Sequence, residues 1–242
     1  NALDANTTAA NNTAIGYEAL SANTTGYINT AVGNNALVSN VVGLACTAVG
    51  DNALAACTNS YNTAVGRSAL ASNTSAASNS AFGTNCLALN TTGANVSAFG
   101  FEALYSNTTG ANNVAVGTSA LTANTTGTQN NAFGASSLAA NTTGNYNCGY
   151  GQATLAANID GHGNTALGDN AMQFGTSGDN NVAIGQDSGR ACTGSENVTI
   201  GLLAGRYNTD NYCTYLGSRA GYQATGARNI AIGAYSAYNT TS

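Results

Sequence analysis

Apolar and polar positions recur along this chain in one phrase, seen in full at 107–121 as NTTGANNVAVGTSAL. A small residue, Ala, a bulky apolar residue and Gly are followed by Ala-Leu and then by Asn-Thr-Thr-Gly. The Gly that closes the apolar pair falls at Gly16, Gly33, Gly50, Gly66, Gly83, Gly100, Gly117, Gly134, Gly151, Gly168, Gly185, Gly201, Gly217 and Gly233. Every step is 17 or 16 residues. A period this strict dictates the architecture before any local reasoning, and it is too short for helical-pair repeats of roughly 33–47 residues. It suits one coil of a parallel β-solenoid, or β-roll, in which each coil buries its face on the next. The fold class is therefore all-β, with about fourteen coils of 16–17 residues, one per glycine.

We number each coil from this Gly as position 0. Position −1 is bulky: Ile15, Val32, Val49, Val65, Phe82, Phe99, Val116 and Phe133 in the first eight coils. Position −2 is nearly always Ala. This alternation predicts a short strand with one face in the core. The bulky face is expected inward, and the Ala face outward, where another surface could approach closely. Position +4 supplies a second expected core residue: Leu20, Leu37, Leu54, Leu70, Leu104 and Leu121, among others. Each is worth roughly 1.5–3 kcal/mol when fully buried.

Gly16, Gly33, Gly50, Gly66, Gly83, Gly100, Gly117 and Gly134 are expected to hold a bend that needs φ > 0 or close backbone approach. Asn-Thr-Thr-Gly reads as a type I turn. Stacking would align the +8 Thr (Thr7, Thr24, Thr58, Thr74 and onward) in one ladder and the +7 Asn in another, with amides bonding along the stack.

Composition sharpens this picture. The unbroken register predicts a single elongated body over 1–242, on the order of 65 Å long at about 4.8 Å per coil. Only 6% of residues are charged, the net charge is −5, and there is no Lys, Pro or Trp. Nucleic acid is excluded as a partner, because neutralising phosphates needs clustered Lys and Arg. No apolar run of about 20 residues predicts membrane insertion.

Residues 1–159 form the regular coils. In 160–242 the coils shorten and change: ten of the fifteen charges lie there, and the +4 Leu gives way to Met172, Gly189, Gly205 and Gly221. These coils must find apolar volume elsewhere, and the Tyr-rich last stretch is the expected source. Arg190, Arg206, Arg219, Tyr207 and Tyr222 mark a candidate partner face, since Arg and Tyr are enriched at binding hot spots. The bland alternative is a structural transition.

Cys46 and Cys213 stand at −4, and Cys57 and Cys192 at +7, flanking the Asn-Thr-Thr-Gly turn. Disulfides Cys46–Cys57 and Cys192–Cys213 across neighbouring coils are expected, which would imply an oxidising compartment. Cys86 stands where Ala usually does and is read as a small packed residue. There is no metal or cofactor signature. The lone His162 reads as solvated, and the acids share no phase, so no catalytic set is legible and the chain is not expected to be an enzyme.

Asn181-Val-Ala-Ile-Gly185 and Asn229-Ile-Ala-Ile-Gly233 resemble the recurring phrase of trimeric autotransporter adhesin heads. Asn62-Thr-Ala-Val-Gly-Arg-Ser-Ala-Leu70 is similar to repeats of phage tail fibres and bacterial surface fibres. The resemblance implies a left-handed β-roll, three chains side by side, and surface attachment. The period here is longer, by the Asn-Thr-Thr-Gly turn. The expectation is a structural, adhesive fibre segment outside the cell or on a cell or virion surface. It would be a homotrimer joined through the Ala face, with a surface glycan or receptor as possible partner. The alternatives are a self-assembling filament subunit and an ice-binding solenoid using the Thr ladder.

Overall fold

The computed structural model describes residues 1–240. The chain is all-β, a parallel β-solenoid in which each coil contributes one three-residue strand, and there is no helix among the described residues. It divides into two compact units, 1–126 and 127 onward.

The first unit carries β1 (Thr13–Ile15), β2 (Thr30–Val32), β3 (Thr47–Val49), β4 (Thr63–Val65), β5 (Ser80–Phe82), β6 (Ser97–Phe99) and β7 (Val114–Val116). The second carries β8 (Asn131–Phe133), β9 (Cys148–Tyr150), β10 (Thr165–Leu167), β11 (Val182–Ile184), β12 (Val198–Ile200), β13 (Thr214–Leu216) and β14 (Ile230–Ile232). Within each unit consecutive strands pair in parallel with equal positions opposed, for example Ala48 with Ala64 and Ala166 with Ala183. β-Branched and aromatic residues at −3 and −1 favour the extended backbone. The turns also stack: Leu20 N–H reaches Ala36 O at 2.9 Å, and Thr24 N–H reaches Val41 O at 2.9 Å. Nearly the whole perimeter is therefore a ladder, which satisfies backbone polar groups that a narrow coil cannot leave unpaired.

The position-0 glycines have φ between +112° and +140°. A second constraint acts with the first. A Cβ built at Gly66 would run into the carbonyl oxygen of Gly83 in the next coil, and Gly83 stands in the same relation to Gly100. Both the backbone angle and the stacking exclude a side chain there.

The inside of the coil reverses one sequence expectation. The −2 alanines are the inward residues: Ala31, Ala48, Ala64, Ala81, Ala98 and Ala115 are 0% exposed. The −1 residues point outward. Ile15 is 61% exposed, Phe82 37% and Phe99 40%, while Val32, Val49, Val65, Val116 and Phe133 are half-buried on the surface. The expected core column Ile15, Val32, Val49, Val65, Phe82, Phe99, Val116, Phe133 is therefore an outer column. The reason is width. The inward strand position faces the +3 and +4 columns, as the closeness of Gly149 to Ser137 and Thr154 and of Tyr215 to Gly205 and Gly221 shows, and where +4 is Leu little more than a methyl group fits. The Ala face cannot be an interface between chains, because it is already closed within its own coil.

Leu20, Leu37, Leu54, Leu70, Leu104 and Leu121 are fully buried. They hold φ near +50°, in the left-handed region: +52° at Leu20 and +51° at Leu121. That conformation costs a non-glycine residue on the order of 1 kcal/mol, outweighed by roughly 1.5–3 kcal/mol from burial of each side chain.

Two buried Asn columns complete the interior. At +7, Asn107 donates to Gly110 O at 2.9 Å and to Asn90 Oδ1 at 2.8 Å, and Asn90 donates to Asn73 Oδ1 at 3.1 Å. At −4, Asn79 donates to Gly93 O at 2.9 Å, and its Oδ1 accepts from Val96 N–H. The +7 ladder follows the sequence pattern. The −4 ladder is a further one, whose signal was the equally regular Asn29, Asn62, Asn79 and Asn113.

Of the +4 glycines of the second unit, Gly205 and Gly221 have their space filled by one Tyr, while Thr199, Cys192 and Met172 surround Gly189. Tyr215 sits at −2, an inward position, and is 0% exposed. A Cβ at Gly205 would come 2.8 Å from its ring, and one at Gly221 would run into it. Burial, and then the neighbouring Cys213 thiol, push the Tyr215 hydroxyl well above the usual phenol range. Gly149 at −2 is a smaller exchange of the same kind. The hydroxyls of Ser137 and Thr154, 2.8 Å apart, fill the space where a Cβ would stand.

Candidate functional site

The outward strand positions make a flat face in each unit. In the first unit the −1 column runs Ile15, Val32, Val49, Val65, Phe82, Phe99, Val116, and beside it the −3 column runs Thr13, Thr30, Thr47, Thr63, Ser80, Ser97, Val114. Phe82 and Phe99 stack with ring centroids 4.9 Å apart and planes 4° from parallel. In the second unit the column includes Phe133 and Tyr150, stacked at 4.4 Å, then Leu167, Ile184, Ile200, Leu216 and Ile232. A contiguous apolar stripe of this kind is the usual mark of an interaction surface.

The +8 Thr form the expected ladder, on the surface. Thr91 Oγ1 donates to Thr108 O at 3.0 Å, and Thr58 Oγ1 donates to Thr74 O at 2.7 Å. The hydroxyls of Thr7, Thr24, Thr58, Thr74, Thr91, Thr108 and Thr142 each spend their proton on the backbone of the next coil, so these Thr act as clamps between coils.

The Arg and Tyr residues gather at the turns of the second unit. Arg206 lies over the rings of Tyr207 at 5.3 Å and Tyr222 at 5.9 Å, and its Nη1 donates to Tyr222 OH at 3.3 Å. Tyr222 stacks on Tyr238 at 4.9 Å, Tyr238 touches Tyr235 at 5.7 Å, and Arg219 lies 5.3 Å over Tyr235 and bonds its hydroxyl. Arg206, Arg219, Tyr207 and Tyr222 are thus one cluster, completed by Tyr235 and Tyr238. Arg190 is held differently, by Asp187 at 3.4 Å, Gln173 and the ring of Phe174.

The two expected disulfides are absent: all six cysteines are free thiols. Cys46 and Cys57 do not span neighbouring coils. They replace both Asn of one layer, and their sulfurs converge on the carbonyl oxygen of Asn59 at 3.2 and 3.3 Å. In the layer before, Asn29 and Asn40 converge in the same way on Gly43 O. A hydrogen bond between the two thiols raises Cys46 and lowers Cys57 to about 7, the latter helped by the Asn59, Asn73 and Asn62 dipoles. Cys192 and Cys213 sit two layers apart with Asn197 and Asn208 between, a separation of about 10 Å at the usual strand spacing, and a disulfide needs Cα atoms within about 7 Å. Cys86 is a packed core residue, and burial pushes its thiol up to about 12.

His162 is not merely solvated. Its Nδ1 accepts the Asn145 backbone N–H at 3.0 Å, and the His162 backbone N–H donates to Asp179 Oδ1 at 2.7 Å. Asp179 N–H continues to Ser195 Oγ and Ser195 N–H to Asn211 Oδ1. The column at −6 is therefore a chain of side chains each capping the coil before it. The sequence signal was the run of polar residues in that one phase. No pocket opens among the described residues, and none of their His, Cys, Asp or Glu side chains gather in groups of three or more suited to a metal.

The fold and these surfaces define a β-solenoid repeat protein. No protein-family model matches the chain, and no curated protein matches it.

Proposed function

We propose that this chain is a structural and adhesive repeat segment of a fibre exposed outside a cell or on a virion, without catalytic activity. Its chains would lie side by side as a homotrimer. The observation that carries the reading is the outward apolar column of the strands, Ile15 to Val116 in the first unit and Phe133 to Ile232 in the second. Large apolar side chains held in register on a flat face suit a partner with the same repeat, because equal spacing lets every coil contact its counterpart. The low charge of 6% removes the repulsion that would otherwise oppose close packing of like chains. The resemblance of Asn181–Gly185 and Asn229–Gly233 to adhesin heads adds to this reading, with the interface moved from the Ala face to the bulky one. The mass of the native particle by light scattering tests it. Three chains are expected; a single-chain mass would overturn it, and very large polymers would favour a self-assembling filament.

One observation favours ice binding as a second reading. The −3 column, Thr13, Thr30, Thr47 and Thr63, lies on the strand face and not in a turn. Thermal hysteresis by a single-chain particle would support it, and its absence would remove it.

A further inference from the structure

We propose that the turn face of the last three coils binds an acidic, uronate-type polysaccharide through Arg206 and Arg219, with the exposed rings of Tyr207 and Tyr235 as stacking platforms and the Tyr222–Tyr238 stack behind them as support. The inference rests on the fibre reading and names the ligand class of its partner face. Two neighbouring columns make a grid there. Position +2 carries Leu203, Arg219 and Tyr235 in successive coils, and position +5 carries Arg206, Tyr222 and Tyr238. In the first unit the same two columns hold mostly small residues, such as Asn52, Ser68 and Asn85 at +2 and Ala55, Ala71 and Ala88 at +5. The stacking of coils does not require bulk or charge at these positions. The solenoid accepts Arg and Tyr here without needing them.

The cations of this grid are not neutralised. Among the described residues the one ion pair is Arg190 with Asp187. Arg206 and Arg219 are held by phenol rings and hydroxyls, and Arg206 Nε is buried with no acceptor. Packing against rings fixes each guanidinium plane while leaving N–H donors for a carboxylate, the geometry in which Arg binds anions in fork fashion. In a chain of net charge −5 this is a local positive patch. Tyr rings give flat apolar area with a polar tip, which suits the faces of sugar rings. Coils follow one another at about 4.8 Å, comparable with the advance of one pyranose along a linear chain. A polymer with one carboxylate per sugar would therefore meet the coils nearly in step. A nucleic acid fits poorly, because two cations cannot match its phosphate density.

The test is binding of the full chain to polygalacturonate, measured by titration calorimetry at low and high salt, with dextran and poly-glutamate as comparisons. Expected is salt-sensitive binding to polygalacturonate, none to dextran, and weaker binding to poly-glutamate, which offers charge without rings to stack. The R206Q/R219Q double variant should lose roughly tenfold or more in affinity, the scale of one or two charge-assisted hydrogen bonds. If R206Q disturbs folding, R219Q alone decides, with a loss of about threefold or more expected for one exposed contact. Absence of polygalacturonate binding overturns the proposal, as does equal binding of dextran or an unchanged affinity in the folded variants. Poly-glutamate binding as tight as polygalacturonate would point to an acidic protein partner instead. The particle mass is measured separately. Three chains without polygalacturonate binding would remove this proposal and leave the fibre reading, and a single chain that binds would do the reverse.

Discussion

Tyr215 fills the space that Gly221 leaves open. The two belong to one coil, at −2 and +4, and a side chain at Gly221 would enter the Tyr215 ring. Tyr215→Ala is expected to cost about 3–5 kcal/mol, the range for emptying a buried aromatic site. Gly221→Leu alone is expected to be strongly destabilising by overpacking. The double variant recreates the Ala and Leu of the first unit, and Gly221 already has φ +60°, close to the buried Leu. Its loss should be smaller than the sum of the single losses by 1 kcal/mol or more, a coupling of about the size contacting residues show. Urea denaturation of the four proteins measures it.

The two faces of a strand should respond in opposite ways. Ala64 is sealed inside its coil and Val65 stands outside. Ala64→Leu is expected to cost about 3 kcal/mol or more by overpacking and to open amide exchange in β3 to β5. Val65→Ser should leave that exchange nearly unchanged while weakening any association through the outer column. Equal effects of the two substitutions would contradict the burial pattern.

The interior Asn ladders are cooperative. Asn107 donates to Asn90 and Gly110 and accepts from Asn124 at 2.7 Å. Asn107→Ala removes all three bonds and leaves buried partners, at a cost of about 2–3 kcal/mol. Asn112 is exposed, and Asn112→Gly, which suits its φ of +58°, should not destabilise. Thermal melts of the two variants check the contrast.

Alkali should unfold the protein through its buried thiols. Burial raises Cys86 to about 12 and Cys192 to about 11. A raised thiol contributes its stability fully below the unfolded value near 9 and loses it as pH rises toward the folded value. Between pH 9 and 11 each should therefore remove on the order of 1 kcal/mol per pH unit. Cys86→Ala, which restores the residue found at Ala69 and Ala103, should flatten this slope. Cys57 has the opposite sign: lowered to about 7, its stabilisation is present above pH 9 and is lost as pH falls through 7.

Thiol labelling should find six free cysteines in the denatured chain. In the native protein Cys148, the only one not fully buried, should react first. A count of two or four would show that disulfides form after all.

The sequence by itself determined the repeat, the position of every coil, the bend at each position-0 Gly, and the burial of Leu such as Leu54 and Leu104. These follow from covalent spacing and from side chains with a single acceptable place. The +7 Asn and +8 Thr ladders were legible for the same reason, since equal spacing must align equal residues. Tertiary structure alone decided which strand face is inside. Alternation of Ala64 and Val65 says only that they point oppositely, and the usual rule that the bulkier one is buried fails in a coil too narrow to hold it. Cys192 and Cys213 look adjacent along the chain, but stacking puts a whole layer of Asn between them. The Tyr215 exchange and the meeting of Arg219, Tyr235, Tyr238 and Arg206 also depend on stacking, because residues about 16 apart become neighbours only when one coil lies on the next.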